Sequence, residues 1–369
     1  MPFYSECLDR MNQTERKRVT QRLLALRARL DKKIPQKDTD SSLILATWNI
    51  RDFDTESYGW RLDESILYMA EIINRFDLVA IQELKGNLGG LRRLRRVLGS
   101  DWHHLYSDVT DGRRGNDERM AFLYDTRKVT FGGLAGELVL PPLEKKVGGK
   151  TVYEPVAQVV RTPFMAGFRA GWQSFILTTV HVLYGSRDAE PPERVREIQQ
   201  VADMLGRRAR QRNTWSENLV LLGDFNIFSR SDATYQAITN AGFTIPPPLQ
   251  SIPGSNVAKD KLYDQIAFKA RSDFQVADPN KPSGCAGVFD FYDTVFVADE
   301  ADQLTYKKYM GDAYEVNSKG KPRPETGTGS KRSYYQTYWR TQQMSDHLPM
   351  WVKLSIDSSE MYLKRRGTT

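Results

Sequence analysis

The sequence predicts a layered α/β fold, and three observations carry that prediction. Short apolar runs alternate with segments of helical periodicity from Ser42 onward. Several of those runs are apolar at every position, as in strands covered on both faces. At 369 residues, 40% of them hydrophobic, the chain can bury the core of one large domain with extensions.

Strand candidates are 43–50 (LILATWNI), 77–83 (DLVAIQE), 119–124, 156–161, 174–182, 219–222, 263–268 and 350–354. Helical periodicity marks 62–76, 88–98 and 192–210, with Leu91, Leu94 and Leu98 on the inner face of the second. Ahead of these, 11–33 reads as a basic amphipathic helix capped by Asn12, with Val19, Leu23, Leu24, Leu26 and Leu30 facing inward. It is expected to pack on the flank of the domain, and Pro35 with the polar stretch 37–40 ends it. The expected organisation is therefore helix and linker over 1–40, one domain over 41–358 and a basic tail over 359–369. Within the domain, 270–343 lacks clear periodicity and is expected to be loop, including a basic, aromatic part at 305–343.

A net charge of +7 favours a polyanionic partner. Cys7 and Cys285, far apart in sequence, rule out a disulfide framework and fit a reducing compartment. Residues 1–30 hold no apolar core of signal-peptide type, and no run approaches membrane-spanning length. The expectation is a cytoplasmic protein without integral membrane association. The sequence assigns no oligomeric state.

Chemistry concentrates where apolar runs end. Asn49 follows LILATW, Glu83 follows DLVAIQ, His181 follows FILTTV, Asp224 and Asn226 follow LVLLG, and Ser345–Asp346–His347 precedes LPMWVKL. Singly, each has an ordinary reading: a cap, a turn or a hydrogen-bonded core histidine. Together they can converge on one sheet edge, where open α/β sheets hold ligands. Hard divalent cations take a few carboxylates and leave room for water and phosphate. Glu83, Asp224 and Asp346 supply the acids, with neutral Asn49 beside them.

The ordered segments TWNI (47–50), IQE (81–83), ERMAFLYD (118–125), TVH (179–181), GDFN (223–226), YDQIAF (263–268) and SDHLP (345–349) resemble the endonuclease/exonuclease/phosphatase superfamily. The resemblance spans about 42–356. It implies a four-layer αββα sandwich with two packed mixed sheets. It implies metal ligands at Asn49, Glu83 and Asp346, Mg²⁺ as the cofactor with Mn²⁺ or Ca²⁺ as substitutes, and catalytic groups at Glu118, His181, Asp224, Asn226, Asp264 and His347. Glu118 would support His181, and Asp264 would support His347. A carboxylate fixes the imidazole tautomer and favours its charged form.

Substrate class is less sharply written. Where related nucleases carry a basic residue before Glu154–Pro155, this chain has Tyr153, which leaves Tyr153, Arg161 and Arg119 as candidate phosphate binders. Tyr263–Asp264–Gln265 departs from the Cys-Asp-Arg of inositol phosphatases. Segment 306–340 interleaves tyrosines with cations including Lys331, Arg332 and Arg340, a composition for stacking bases and tracking phosphates or for pinning a loop to the body. Arg92, Arg93, Arg95 and Arg96 would line a phosphate track or a solvated helix face. Three readings follow: a metal-dependent nuclease acting on DNA in preference to RNA, a phosphoesterase acting on a phospholipid, inositol phosphate or nucleotide, and a non-catalytic nucleic-acid-binding scaffold.

Overall fold

A computed structural model describes all residues except 1, 54, 56, 113, 212–213, 278–283 and 368–369. In chain order the strands are β1 Ser42–Phe53, β2 Leu78–Lys85, β3 Trp102–Tyr106, β4 Glu118–Asp125, β5 Thr130–Glu137, β6 Leu143–Val147, β7 Lys150–Glu154, β8 Phe164–Ala170, β9 Gln173–His181, β10 Leu219–Asp224, β11 Asp264–Lys269, β12 Ala286–Val288 and β13 Met350–Ser355. One mixed sheet runs β12-β13-β1-β2-β4-β3 and the other β11-β10-β9-β8-β5, while β6 and β7 form a separate hairpin.

The uniformly apolar strands have two buried faces. Leu43 and Leu45 of β1 meet Leu78, Ala80, Phe122, Leu177 and Val220 in the core between the sheets. The alternate residues Ile44, Ala46 and Trp48 join Val79, Ile81 and the helices Gln13–Lys33, Asp63–Ile73 and Gly89–Leu98. Helices Pro192–Arg208 and Ala233–Asn240 cover the second sheet through Ile198, Val201, Leu205 and Ile238. The result is the four-layer αββα sandwich, each buried Leu or Ile contributing about 1.5–3 kcal/mol.

Polar side chains enter the inter-sheet layer toward the edge that carries His181 and Asp224. Gln82 Nε2 donates to Thr179 Oγ1 at 2.8 Å and to Thr47 Oγ1 at 3.1 Å, tying β2, β9 and β1 together across the sandwich. All three side chains are fully buried, so the crossbar is directional and leaves no amide donor unmet.

The N-terminal helix packs on the flank as expected, with Asn12 Oδ1 accepting from Glu15 N at 3.0 Å. Val19, Leu23, Leu26 and Leu30 are buried, but Leu24 is 60% exposed. Ion pairs Arg18–Glu64 (2.8 Å), Arg22–Asp302 and Arg27–Glu71 (3.2 Å) fasten this helix to the body.

Two expectations are corrected. Segment 156–161 is not a strand: Gln158 hydrogen-bonds Leu140 N and O, and Glu197 accepts from Val160 N, so side chains satisfy backbone that a ladder would otherwise serve. The long loop over 305–343 is largely helical, with Glu300–Met310, Asp312–Glu315, Lys331–Tyr334, a π-helical turn Tyr335–Trp339 and Arg340–Gln343. Asp299 and Ser330 cap two of these helices, and Tyr306, Tyr314, Tyr334, Tyr335 and Trp339 are buried. The tail is helical over Ser359–Gly367, with no residue buried.

Gly223, at φ +132°, lets β10 approach β9: a Cβ there would lie 2.2 Å from Val180 O. Gly223→Ala is expected to destabilise the protein by on the order of 3 kcal/mol, measured by urea denaturation. An unchanged denaturation midpoint would contradict this packing.

Candidate active site

Strand register assembles the site. In the second sheet, His181 of β9 lies opposite Asp224 of β10, and Asp224 lies opposite Asp264 of β11. All three continue the inward rows of their strands, so they stand abreast at the sheet edge. In the first sheet Asn49 pairs with Gln82, and the β1–β2 and β2–β4 registers then slip. Glu83 sits in that irregularity at φ 62°, a left-handed conformation that costs a glutamate about 1–2 kcal/mol. The bulge re-aims its carboxylate.

Asp224 is the hub. Oδ1 accepts from Asn226 N at 2.8 Å, and Oδ2 accepts from Asn49 Nδ2 at 3.0 Å. His181 Nε2 and His347 Nε2 each lie 3.6 Å from that same Oδ2. The imidazoles thus flank one buried carboxylate from two directions. Asn226, at φ 53°, donates Nδ2 to Val182 O at 2.8 Å and so shapes the turn that aims Asp224.

Each histidine is held from behind by an acid. Nδ1 of His181 is 2.7 Å from Glu118 Oε2, and Nδ1 of His347 is 2.8 Å from Asp264 Oδ2. Glu118 also accepts from Lys85 Nζ and Asn116 Nδ2, at 3.0 and 2.6 Å. Burial opposes its charge, but His181, Arg161 and Lys85 outweigh burial and hold Glu118 well below the usual carboxylate range. Burial likewise disfavours the imidazoliums, yet Glu118 raises His181, and Asp264 with Asp224 raises His347 well above 6.5. Burial pushes Asp264 upward too, so the Asp264–His347 pair retains its proton.

The remaining acids fit a divalent cation. Glu83 accepts from Asn49 Nδ2 at 2.9 Å and from Asp52 N at 2.8 Å, and burial first, with nearby Glu118 and Asp346, raises its pKa. With Nδ2 bonded to two carboxylates, Asn49 Oδ1 is left buried without a hydrogen-bond partner. An orphan amide oxygen among converging carboxylates is what a hard cation would satisfy. Among the described residues no three His, Cys, Asp or Glu side chains form a metal cage by themselves.

The sequence-proposed substrate residues scatter. Arg161 joins the site, its Nε 2.7 Å from Glu118 Oε2 and its Nη1 buried without a partner. Arg119 instead donates to Ser107 O and Asp108 Oδ1. Tyr153 is 60% exposed on the separate β6–β7 hairpin. Lys331 pairs with Glu315 and Glu325, and Arg332 is exposed beside it. Arg340 is buried, donating to Gln336 O and Phe296 O over the Tyr292 ring. The expected base-stacking loop is thus reduced to exposed Tyr338, 5.8 Å from Tyr58, whose ring lies under Arg51.

Several positioning residues were not singled out in the sequence. Ser345 Oγ donates to Asn49 O at 2.6 Å and accepts from His347 N, fixing the Ser345–His347 turn to β1. Its place beside Asp346 was the available signal. Arg194, fully buried, donates to Asn226 O and to carbonyls of 183–189, holding the wall beside Asp224. A lone arginine on a helix gives no such signal.

The sequence profile of the endonuclease/exonuclease/phosphatase family matches residues 46–297. The chain belongs to that family. Its members hydrolyse phosphoester bonds and typically depend on divalent metals. A protein of Thioalkalivibrio sp. (strain K90mix) named deoxyribonuclease is 30% identical over 259 residues, 68% of this chain and 63% of that relative. The matched region thus covers less than two thirds of that relative's length. Among solved structures, a mannosyl-6-phosphatase of Bacteroides thetaiotaomicron superposes with TM-score 0.51 at 17% identity, covering 85% of this chain and 99% of its own. A family protein from the same species gives 0.50 at 17% identity, covering 86% and 98%. At that identity the likeness speaks for the fold. No helix among the described residues is long and apolar enough to cross a membrane.

The raised His347 pKa carries a sign. Its stabilising effect is fully present below the ordinary 6.5 and fades as pH rises through the raised value. Asp264→Asn in EDTA-treated protein is expected to cost about 3–5 kcal/mol at mildly acidic pH and less under alkaline conditions. Urea denaturation across pH checks this, and a cost that grew with pH would contradict the pairing.

Proposed function

We propose that this protein is a Mg²⁺-dependent nuclease that hydrolyses phosphodiester bonds of nucleic acid, with DNA as its substrate. The observation that carries the reading is Asp224, held between two acid-backed histidines and hydrogen-bonded to the same asparagine that contacts Glu83. Phosphodiester hydrolysis needs a positioned water, charge neutralisation on the phosphoryl oxygens and a proton for the leaving oxygen. The site carries a group for each need. The relative named deoxyribonuclease and the net charge of +7 favour DNA among the phosphodiesters.

In this reading Glu83, Asn49 Oδ1 and Asp346 would hold the cation. Bound there, Mg²⁺ would neutralise charge building on the phosphoryl and leaving oxygens. Asp224, aimed by the backbone of Asn226, positions the attacking water and takes its proton. His347 and His181, kept charged by Asp264 and Glu118, donate to a phosphoryl oxygen and to the leaving oxygen. Their equal 3.6 Å separations from Asp224 leave the division of those two roles open. Arg161, with its unmatched Nη1, adds positive charge behind Glu118.

Plasmid nicking with Mg²⁺ and with EDTA, beside a panel of phosphomonoesters, inositol phosphates and nucleotides, tests the proposal. Metal-dependent nicking supports it. Release from small phosphoesters with DNA and RNA both untouched would replace it with a phosphatase. Asp224→Ala and His347→Ala are each expected to lower turnover on the order of a thousandfold or more while the protein stays folded. Near-normal turnover in either variant would refute the assignment of that residue.

A further inference from the structure

Most arginines of the N-terminal helix meet an acid: Arg18 meets Glu64, Arg22 Asp302, Arg27 Glu71 and Arg29 Asp293. The helix Gly89–Leu98 breaks that habit. Its Arg93 turns aside, 2.6 Å from Asp63 and over the Trp60 ring. Arg92, Arg95 and Arg96 share the opposite face at one-turn spacing, and among the described residues no carboxylate lies within ion-pairing distance of any of them. With Gly99, Ser100 and His104 they line a cleft of about 450 Å³ that has no acidic residue in its wall.

The chemistry of the cleft points to an anion. Arg95 Nη1 lies 3.1 Å from His104 Nδ1. Arginine can only donate, so Nδ1 accepts and the His104 Nε2 proton is left to be offered elsewhere. Burial and the neighbouring Arg95 charge pull the His104 pKa down, so the imidazole is neutral. Arg95 Nε is buried without a partner. Like charges at Arg92 with Arg95 and Arg92 with Arg96 face each other one turn apart and repel, which a bound anion would reverse.

Position supplies the rest. The helix follows directly from β2, whose end carries Glu83 and Lys85, and Arg92 Nη2 donates to Asn87 O in the connecting turn. From Arg92 to Arg96 the helix rises about 6 Å, roughly two phosphate spacings along the axis of one duplex strand. The arginine face therefore begins near the catalytic edge and leads away from it along the flank by β3.

We infer that Arg92, Arg95, Arg96 and His104 form a second phosphate-binding site. It holds the sugar-phosphate backbone of a DNA strand whose scissile phosphate lies at Asp224. The inference rests on the nucleic-acid reading of the catalytic site. No base edge is read here, so the contribution is affinity and substrate length, not sequence.

The test compares wild type, a variant combining Arg92→Gln, Arg95→Gln and Arg96→Gln, and a charge-matched control combining Lys364→Gln, Arg365→Gln and Arg366→Gln. A variant with Arg92→Gln and Arg96→Gln alone alters only exposed side chains and guards against misfolding. Anisotropy of a labelled oligonucleotide in EDTA, across a salt series, reads binding. Hydrolysis of a long oligonucleotide and of a small chromogenic phosphodiester with Mg²⁺ reads catalysis. Both cleft variants are expected to bind DNA about tenfold or more weakly, and the full variant to lower the slope of log K against log salt by about two to three. KM for the oligonucleotide should rise with kcat nearly constant, and the small diester should be cleaved as by wild type. Binding and slope equal to wild type or to the control would overturn the inference. Wild type that binds DNA through these arginines yet never cuts it would leave this site standing and sink the nuclease reading. Cutting with unchanged KM in the full variant would sink this site and leave the nuclease reading standing.

Discussion

The hydrogen bond from Asn49 Nδ2 to Asp224 Oδ2 joins the two sheets at the centre of the chemistry, flanked by the His181–Glu118 and His347–Asp264 pairs that also cross between them. Asn49 belongs to β1 of one sheet and Asp224 to β10 of the other. Breaking it would leave a buried carboxylate short of a donor, at about 1–3 kcal/mol. It would also free the oxygen that both imidazoles address. The Gln82 crossbar, the Ser345 turn and the left-handed Glu83 all serve to keep those two residues in register. Strain at Glu83 is tolerable because bonds from Asn49 and Asp52 over-determine the position of its carboxylate.

Electrostatics give the site its polarity. Glu83, Glu118, Asp224, Asp264 and Asp346 crowd around two histidines in a largely buried cluster, where like charges repel strongly. The arrangement separates them into two imidazole–carboxylate pairs that retain protons and an acidic corner around Glu83 that invites a cation. Lys85 and Arg161 sit behind Glu118, so positive charge backs one histidine more heavily than the other. Behind Asp264 stands Ser255 instead, whose hydroxyl accepts from the Asp264 amide. The two halves of the site are thus similar in geometry and different in their surroundings.

Much of this was legible in the sequence because strands write their register plainly. Apolar runs ending in His181 and Asp224 place polar side chains on one edge, the family resemblance adds Asp264 at the start of the next run, and the structure sets the three abreast. What was illegible depends on tertiary partners. Segment 156–161 has strand composition, yet its Val156 O accepts from the Gln158 amide and its Val160 N donates to Glu197 in place of a ladder. The 305–343 region looks aperiodic because its aromatics pack on several surfaces at once, around Phe296 and Tyr306. Arg340 looks like a phosphate ligand in sequence and is a buried brace for loop carbonyls. Arg161 could be named from sequence, but its unmatched nitrogen could not.

The topology has a consequence for how the chain matures. β1, formed by residues near the beginning, lies between β2, its near neighbour in sequence, and β13, which starts only at Met350. His347, Asp346 and the Ser345 hydroxyl that clamps Asn49 arrive with that late segment. Contacts so distant in sequence form slowly, because a long loop must close first. During synthesis, then, Asp224 and His181 exist for many residues without the group that completes their surroundings. A nascent or truncated chain that stops short of Ser345 lacks β13, His347 and the hydroxyl that clamps Asn49. On the proposed roles of Asp346 and His347, hydrolysis would therefore wait until the fold is nearly whole.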